Sequence, residues 1–118
     1  SQLSHALIHG LGNLFRNRME LLESLNIPVE RLMVIGGSTR NHYWMKMKAS
    51  ILNKKLQIIR DSEAVARGAA ILAAKCSGDI EEVPVPTFFT IEPEQTEIGR
   101  LEDYYQDHYL KVIRNFIN

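Results

Sequence analysis

The chain has 118 residues, 45% of them hydrophobic and 24% charged, which is the composition of one globular domain with a core of modest size. Its 14 basic and 14 acidic side chains cancel, so no overall charge favours nucleic acid or a membrane surface as a partner. A single cysteine, Cys76, excludes an internal disulfide, and no stretch has the apolar length of a membrane span. Together with the lack of a signal-peptide pattern, these features predict a cytoplasmic location.

The first predicted element is a helix that is already under way where the sequence begins. Leucines recur at helical spacing at positions 3, 7, 11, 14, 22 and 25, and polar side chains occupy the opposite side. Because this pattern starts without a Met, we expect the chain to be cut from a longer one. Such a cut would expose apolar faces and strand edges, so we expect the isolated chain to self-associate or to be only marginally stable.

Two pairs of residues in this helix have candidate roles. His5 and His9 lie one turn apart and could share a metal ion, but no third ligand is recognisable, so a metal site is not predicted. Gly10 and Gly12 lower helix stability relative to Ala. Their presence indicates close approach by a neighbouring element or a ligand.

Residues 26–60 have the pattern of a strand, a helix and a second strand. After a link at Pro28, the apolar run Leu32–Ile35 predicts a short buried strand. The pattern is then helical over residues 41–52, and Asn53 follows where left-handed backbone commonly ends a helix. The run Lys55–Ile59 predicts the second strand.

A third predicted helix begins near Glu63, which we place in its first turn, where a negative charge is favourable. Asp61 or Ser62 can cap this helix. Cys76, near its end, is expected to be a small, partly buried thiol rather than a nucleophile.

The remaining sequence predicts a connector over residues 78–90 and a final helix over residues 98–116, whose aromatic residues are typical of packing. The order of elements is therefore helix, strand, helix, strand, helix, followed by a closing helix. This order favours an α/β fold with a short parallel sheet and flanking helices.

The stretch VIGGSTRN, residues 34–41, is the candidate binding loop. Glycine after a strand lets a ligand approach the main chain, and the start of the next helix attracts phosphate. Ser38 and Thr39 add hydroxyl groups, and the Asn41 amide can both donate to and accept from a base edge or a ribose. The same residues are equally compatible with a simple turn in which Ser or Thr caps the next helix.

The longer context resembles the C-terminal nucleotide-binding segment of the FGGY carbohydrate kinases, the family of xylulokinase and fuculokinase. In that family a strand ends in Gly-Gly-Gly-Ser-x-Asn, a helix bearing Trp follows, and after a second strand comes a helix with Glu-x-x-Ala-x-Gly-Ala-Ala. The matching positions here are Gly36, Gly37, Thr39, Asn41, Trp44, Ala49, Leu52, Glu63, Gly68, Ala69 and Ala70. Ser38 departs from the pattern, because it replaces the third glycine.

This resemblance implies part of an actin-like, ribonuclease-H-like ATPase domain, with residues 1–118 as the C-terminal fragment of its ATP-binding domain. Gly36 and Gly37 would line the phosphate and ribose side of ATP or ADP, and Ser38 and Asn41 would contact the ribose or adenine. Thr39 would be a further nucleotide-binding residue. Gly68 would let its helix approach the nucleotide closely. Mg²⁺ would accompany ATP, with its ligands outside this chain, and no catalytic residue is assigned.

The resemblance also implies that the catalytic base and the sugar-binding domain of the kinase lie outside these residues. The expected function is the ATP-binding portion of a sugar kinase for a xylulose-type or deoxyketose-type substrate, inactive on its own. A rival interpretation is a stand-alone interaction module that keeps the fold without binding nucleotide. A Rossmann-type dinucleotide binder is a weaker alternative, because its glycine fingerprint is missing.

Overall fold

A computed structural model describes residues 2–60 and 63–117 of the chain. Its elements, in chain order, are α1 Gln2–Ser24, β1 Leu32–Val34, a 3₁₀ turn Gly37–Arg40, α2 His42–Leu52, β2 Leu56–Ile59, α3 Ala64–Ser77, β3 Phe88–Ile91, α4 Gln95–Tyr104, a π-helical turn Tyr105–Tyr109 and α5 Leu110–Ile117. The predicted order of helices and strands is confirmed up to α3. The final predicted helix is also present, but it starts three residues earlier and contains the π-helical turn.

Helix α2 begins and ends at asparagines. The Asn41 side-chain oxygen accepts a hydrogen bond from the Trp44 backbone N–H at 3.0 Å, which satisfies one of the free N–H groups of the first turn. Asn53 has φ 47° and ψ 41°, so the predicted left-handed end of this helix is confirmed. Between these caps, Met45, Ala49 and Leu52 face the core.

The sheet has three strands in the order β1-β2-β3. Strands β1 and β2 are parallel, with Leu32 opposite Leu56, so the predicted parallel pair is confirmed. The sheet as a whole is mixed, because β3 pairs antiparallel with β2, with Ile91 opposite Leu56. The prediction of an irregular connector up to residue 90 was therefore wrong at its end. Three of the four β3 residues are exposed, so buried and exposed side chains do not alternate along this strand. Strand β3 pairs with the edge of β2 that β1 leaves open.

Helix α1 packs with its polar side inward. Gly12 and Asn13 are buried, and a Cβ at Gly12 would lie 2.5 Å from Cδ1 of Ile51 in α2. The close approach predicted for Gly12 is confirmed, whereas nothing lies within 4 Å of the corresponding point at Gly10 among the described residues. The leucines of α1 remain exposed on the other side.

Helix α3 has no buried residue. Its large side chains Val65 and Leu72 are 80% and 65% exposed, and Cys76 is also exposed. The expectation of a partly buried thiol was wrong, because no other part of the described chain covers this end of the helix. Glu63 stands immediately before α3 rather than in its first turn, and the predicted caps Asp61 and Ser62 lie outside the described residues.

A polar cluster joins α1 to the C-terminal helical segment. Arg16 donates to Glu20 at 3.1 Å and to Glu102 at 2.6 Å, and its guanidinium carbon lies 4.0 Å from the centre of the Tyr105 ring. The Tyr105 hydroxyl donates to Glu20 at 2.6 Å. Tyr105 is fully buried, and burial, followed by this hydrogen bond to a carboxylate, raises its pKa to about 12.

Replacing Tyr105 by Phe is expected to lower the free energy of unfolding by about 1–2 kcal/mol near neutral pH, because Glu20 loses a buried donor. The raised pKa of Tyr105 adds to the stability of the folded chain. This added stability is present in full below pH 10.0, the pKa of tyrosine in the unfolded chain, and is lost as the pH rises toward about 12. The stability difference between the original chain and the variant should therefore shrink over this range. Urea unfolding at a series of pH values measures it, with the exposed Tyr104→Phe as control. A difference that stays constant or grows would contradict this assignment.

None of the helices in residues 2–60 and 63–117 combines the length and apolar character needed to cross a membrane.

Candidate functional site

The candidate site is the loop at the carboxyl end of β1. Gly36 has φ 98° and ψ 174°, a backbone conformation that is essentially restricted to glycine. The backbone N–H and the hydroxyl of Thr39 both donate to the Gly36 carbonyl oxygen, at 3.1 Å and 2.7 Å. These two bonds hold the 3₁₀ turn against the end of the strand, so the Thr39 hydroxyl is used inside the loop.

Asn41 closes the loop and caps α2 at the same time. Its backbone N–H donates to the Ser38 carbonyl oxygen at 3.1 Å, while its side-chain oxygen accepts from Trp44. The helix is thus capped by Asn41 and not by Ser38 or Thr39. This leaves the Asn41 amide nitrogen and the Ser38 hydroxyl, which makes no hydrogen bond to the described part of the chain, as the polar groups open to a ligand.

The glycines of the candidate site face open space. Apart from the two chain neighbours and the glycine's own helix backbone, no atom of the described residues lies within 4 Å of a Cβ placed on Gly36, Gly37 or Gly68. The loop holds five of the six predicted site residues together, whereas Gly68 lies separately in the second turn of α3. Because β1 and β2 are parallel, their carboxyl ends, at Val34 and Ile59, lie at the same edge of the sheet.

Side chains of α1 contact side chains of α2, the helix that follows the loop. The hydroxyl of Tyr43, in the first turn of α2, is 3.1 Å from His5 Nε2. Lys48 lies with its Nζ 4.4 Å from the Phe15 ring centre and 5.0 Å from that of Trp44, and burial lowers the pKa of Lys48. Sequence reasoning missed both contacts. Nothing in the local pattern connects Tyr43 to a residue 38 positions earlier.

The two histidines of α1 lie beside each other with ring centres 6.0 Å apart. Burial, with a smaller effect of the neighbouring His5, lowers the pKa of His9 and favours its neutral form. Within residues 2–60 and 63–117, no group of three or more His, Cys, Asp or Glu side chains is placed to hold a metal ion.

A parallel strand pair, a glycine loop at its carboxyl edge and flanking helices are features of an α/β nucleotide-binding domain. Comparison with known proteins shows which family within this class the chain matches. Residues 1–76 match the family model described as the C-terminal domain of the FGGY family of carbohydrate kinases. The chain therefore belongs to the FGGY family of carbohydrate kinases.

Individual relatives and solved structures agree with this assignment. Ribulokinase 2 of Staphylococcus saprophyticus is 33% identical over 88 residues, which cover 68% of this chain and 16% of that protein. Xylulose kinase of Haemophilus influenzae is 24% identical over 94% of this chain and 23% of its own length. The crystal structure of a xyloylose kinase from Brucella ovis superposes with a TM-score of 0.76 and 26% identity, covering 98% of this chain and 25% of that one.

The fold is thus the actin-like, ribonuclease-H-like ATPase fold of FGGY kinases, here with a small mixed sheet. The chain spans a quarter or less of the length of these relatives.

Proposed function

We propose that residues 1–118 are the C-terminal, ATP-binding portion of a carbohydrate kinase that transfers the γ-phosphate of ATP to a hydroxyl of a xylulose-type or deoxyketose-type sugar. The observation that carries the proposal is the loop of residues 36–41. Its glycine backbone, with Gly36 at φ 98°, lies at the carboxyl end of a parallel strand inside the region that matches the FGGY domain.

The residues of this loop fit a nucleotide. Gly36 and Gly37 present main chain without a side chain in the way, so phosphate or ribose oxygens can come within hydrogen-bonding distance of it. Ser38 offers a hydroxyl group, and the amide nitrogen of Asn41 offers a donor to the ribose or adenine. Thr39 acts by holding the turn through its bonds to Gly36. Gly68 would let α3 approach the nucleotide closely, since a Cβ at this position would enter open space.

The proposal assigns positioning to this chain and the chemical step to the rest of the kinase. Phosphoryl transfer needs orientation of the nucleotide, stabilisation of charge on the transferred group, and a residue that orients or deprotonates the acceptor hydroxyl. Residues 36–41 and 68 serve the first requirement only. The sugar site, the base and the ligands of Mg²⁺ belong to the part of the kinase outside these residues, and no catalytic residue is proposed here.

The same proposal places the protein in the cytoplasm, where the single thiol stays reduced, with a nucleotide and a sugar as its ligands. Its balanced charge gives no reason to propose nucleic acid or a membrane as a partner.

An ADP titration of the 118-residue chain tests the proposal, because its only tryptophan, Trp44, adjoins the candidate loop and its backbone N–H donates to the side chain of Asn41. We expect a change in Trp44 fluorescence, and amide shifts centred on residues 36–41, with a dissociation constant on the order of millimolar, because only one wall of the site is present. ATP and xylulose together should release no ADP above the buffer rate.

Gly37→Val is the matched variant, since it fills the open side of the loop without touching described residues, and it should abolish the ADP response. If the Trp44 fluorescence and the amide shifts of residues 36–41 stay unchanged at ADP concentrations of about 10 mM, this result contradicts nucleotide binding and favours the rival interaction module. Steady release of ADP that a mutation in this chain removes would contradict the assignment of the chemical step to the rest of the kinase.

A further inference from the structure

Arg60 lies at the same edge of the sheet as the candidate loop. Val34 of β1 is opposite Ile58 of β2, and two residues further along the chain from each of them stand Gly36 and Arg60. Neighbouring strands of a sheet are about 5 Å apart. The register of the parallel pair therefore brings the residue that follows β2 level with the first glycine of the loop.

Strand β3 fixes the backbone of Arg60. The Arg60 N–H donates to the Thr87 carbonyl oxygen at 3.1 Å, which continues the antiparallel register of β2 with β3 by one residue. Because side chains alternate along a strand, Arg60 belongs to the same side of the sheet as Ile58. This is the side against which α2 packs, and α2 begins at the end of the candidate loop.

The Arg60 side chain rests on an aromatic ring. Its guanidinium carbon lies 5.8 Å from the centre of the Phe89 ring, and Phe89 is opposite Ile58 in the sheet, so the contact agrees with the side that the alternation gives. An aromatic ring attracts the guanidinium charge without taking up its N–H groups, which stay available to oxygen ligands. Arg60 is exposed, and its side chain makes no hydrogen bond or ion pair with residues 2–60 or 63–117.

The charges around Arg60 favour an anion as its partner. Residues 31–60, which contain β1, the loop, α2 and β2, include no Asp or Glu. At the other end of β2, the cation of Lys55 is already paired with Glu92 at 3.1 Å. A guanidinium can form two parallel hydrogen bonds to the oxygens of one phosphate group. Arg60 thus brings an available phosphate-binding group to the edge of the sheet that carries the glycine loop.

We propose that Arg60 binds the phosphate groups of the nucleotide beside the main chain of Gly36 and Gly37, and so favours nucleoside diphosphates and triphosphates over the nucleoside itself. This inference rests on the proposed function, because it adds a residue to the same site. Arg60 contacts phosphate oxygens directly. Phe89 is a positioning residue, since it acts by holding the guanidinium in place.

Inhibition by ADP and by adenosine of the longer kinase that contains these residues tests the proposal. ADP carries the phosphates that Arg60 would bind, and adenosine lacks them. In Arg60→Ala the inhibition constant of ADP should rise about tenfold or more, because the phosphates lose a charge-assisted double hydrogen bond. The inhibition constant of adenosine should stay unchanged. The thermal midpoint without nucleotide should stay unchanged as well, since the side chain is exposed.

Three further variants separate charge, geometry and position. Arg60→Lys keeps the charge without the paired N–H groups and should raise the inhibition constant of ADP less than Arg60→Ala does. Phe89→Leu removes the ring beside the guanidinium and should raise it about two- to fivefold, again without an effect on adenosine. Lys55→Ala is the matched control, because it removes an exposed cation at the opposite end of β2, and it should change neither inhibition constant.

An equal rise in both inhibition constants, together with a lower thermal midpoint, would overturn the proposal, because Arg60 would then stabilise the kinase by pairing with an acidic side chain. An inhibition constant of ADP that Arg60→Ala leaves unchanged would also overturn it, while the proposed function would stand as long as ADP competes with ATP. If ADP does not compete with ATP in the original kinase, the proposed function fails and this inference fails with it.

Discussion

Gly12→Leu is expected to lower the free energy of unfolding of the chain by about 2 kcal/mol. A Cβ at this position would lie 2.5 Å from Cδ1 and 3.3 Å from Cγ2 of Ile51, which is itself 1% exposed and has little room to move. Overpacking of this kind costs about 1–3 kcal/mol, and a longer side chain falls at the upper end. The gain in helix propensity on replacing glycine offsets only about 1 kcal/mol of that cost. Thermal or urea unfolding at matched protein concentration measures the effect.

Gly10→Ala is the matched control on the same helix. No atom of the described residues lies within 4 Å of the position its Cβ would take, so the variant gains helix propensity without a clash. We expect it to stabilise the chain by about 0.5–1 kcal/mol. If Gly12→Leu lowers the free energy of unfolding and Gly10→Ala raises it, the contact between α1 and α2 explains why position 12 is glycine. The general cost of glycine in a helix would not explain this difference. A Gly12→Leu variant as stable as Gly10→Ala would rule out this contact.

Gly37→Val, introduced into the longer kinase that contains these residues, is expected to raise the KM for ATP by about tenfold or more, which corresponds to a clash of about 1.4 kcal/mol. The KM for the sugar should stay nearly unchanged, because the sugar site is proposed to lie elsewhere in the protein. The thermal midpoint should also stay unchanged, since the side chain would enter open space beside the loop. Steady-state kinetics with each substrate varied in turn gives both values.

Gly36→Val separates backbone strain from ligand contact in the same loop. Gly36 has φ 98°, so any side chain there costs about 1–3 kcal/mol of backbone strain even though space is available. This variant should lose thermal stability as well as ATP affinity. If Gly37→Val also lowers the thermal midpoint, or raises both KM values equally, its effect is one of misfolding and the nucleotide assignment of Gly37 fails.

The elements that surround the candidate loop could be predicted from the sequence because their signals are local. The apolar run before Gly36 forms β1, and the left-handed Asn53 ends α2 as its position predicts. Gly12 was also informative, since a helix tolerates the cost of glycine where a side chain would clash with a neighbouring element. Each signal acts within a few residues of the structure that it specifies, so the chain order and the parallel pair β1–β2 follow without knowledge of distant contacts.

The choice of cap within the loop shows the limit of this local information. The sequence suggested a Ser or Thr, Ser38 or Thr39, as the cap of the next helix, whereas Asn41 is the residue that caps it. Only the path of the 3₁₀ turn decides among them, because it brings the Thr39 hydroxyl to Gly36 and leaves Asn41 beside the Trp44 N–H.

Long-range contacts decided the orientation of α1 and the pairing of β3, which local signals did not predict. The orientation of α1 follows from Arg16 and Glu20, which meet Tyr105 and Glu102 more than 80 positions later and draw the polar side of the helix inward. Strand β3 pairs with the second edge of β2, whose backbone groups need partners. Its residues Phe88, Phe89, Thr90 and Ile91 are of types that favour strands, but apolar and polar residues do not alternate among them, and the connector prediction passed over this signal. The sequence alone determined the helices, the strands β1 and β2, and where the glycine loop lies. Only the tertiary structure decided which face of α1 is buried and which edge β3 occupies, because those choices depend on contacts between residues that are far apart in the chain.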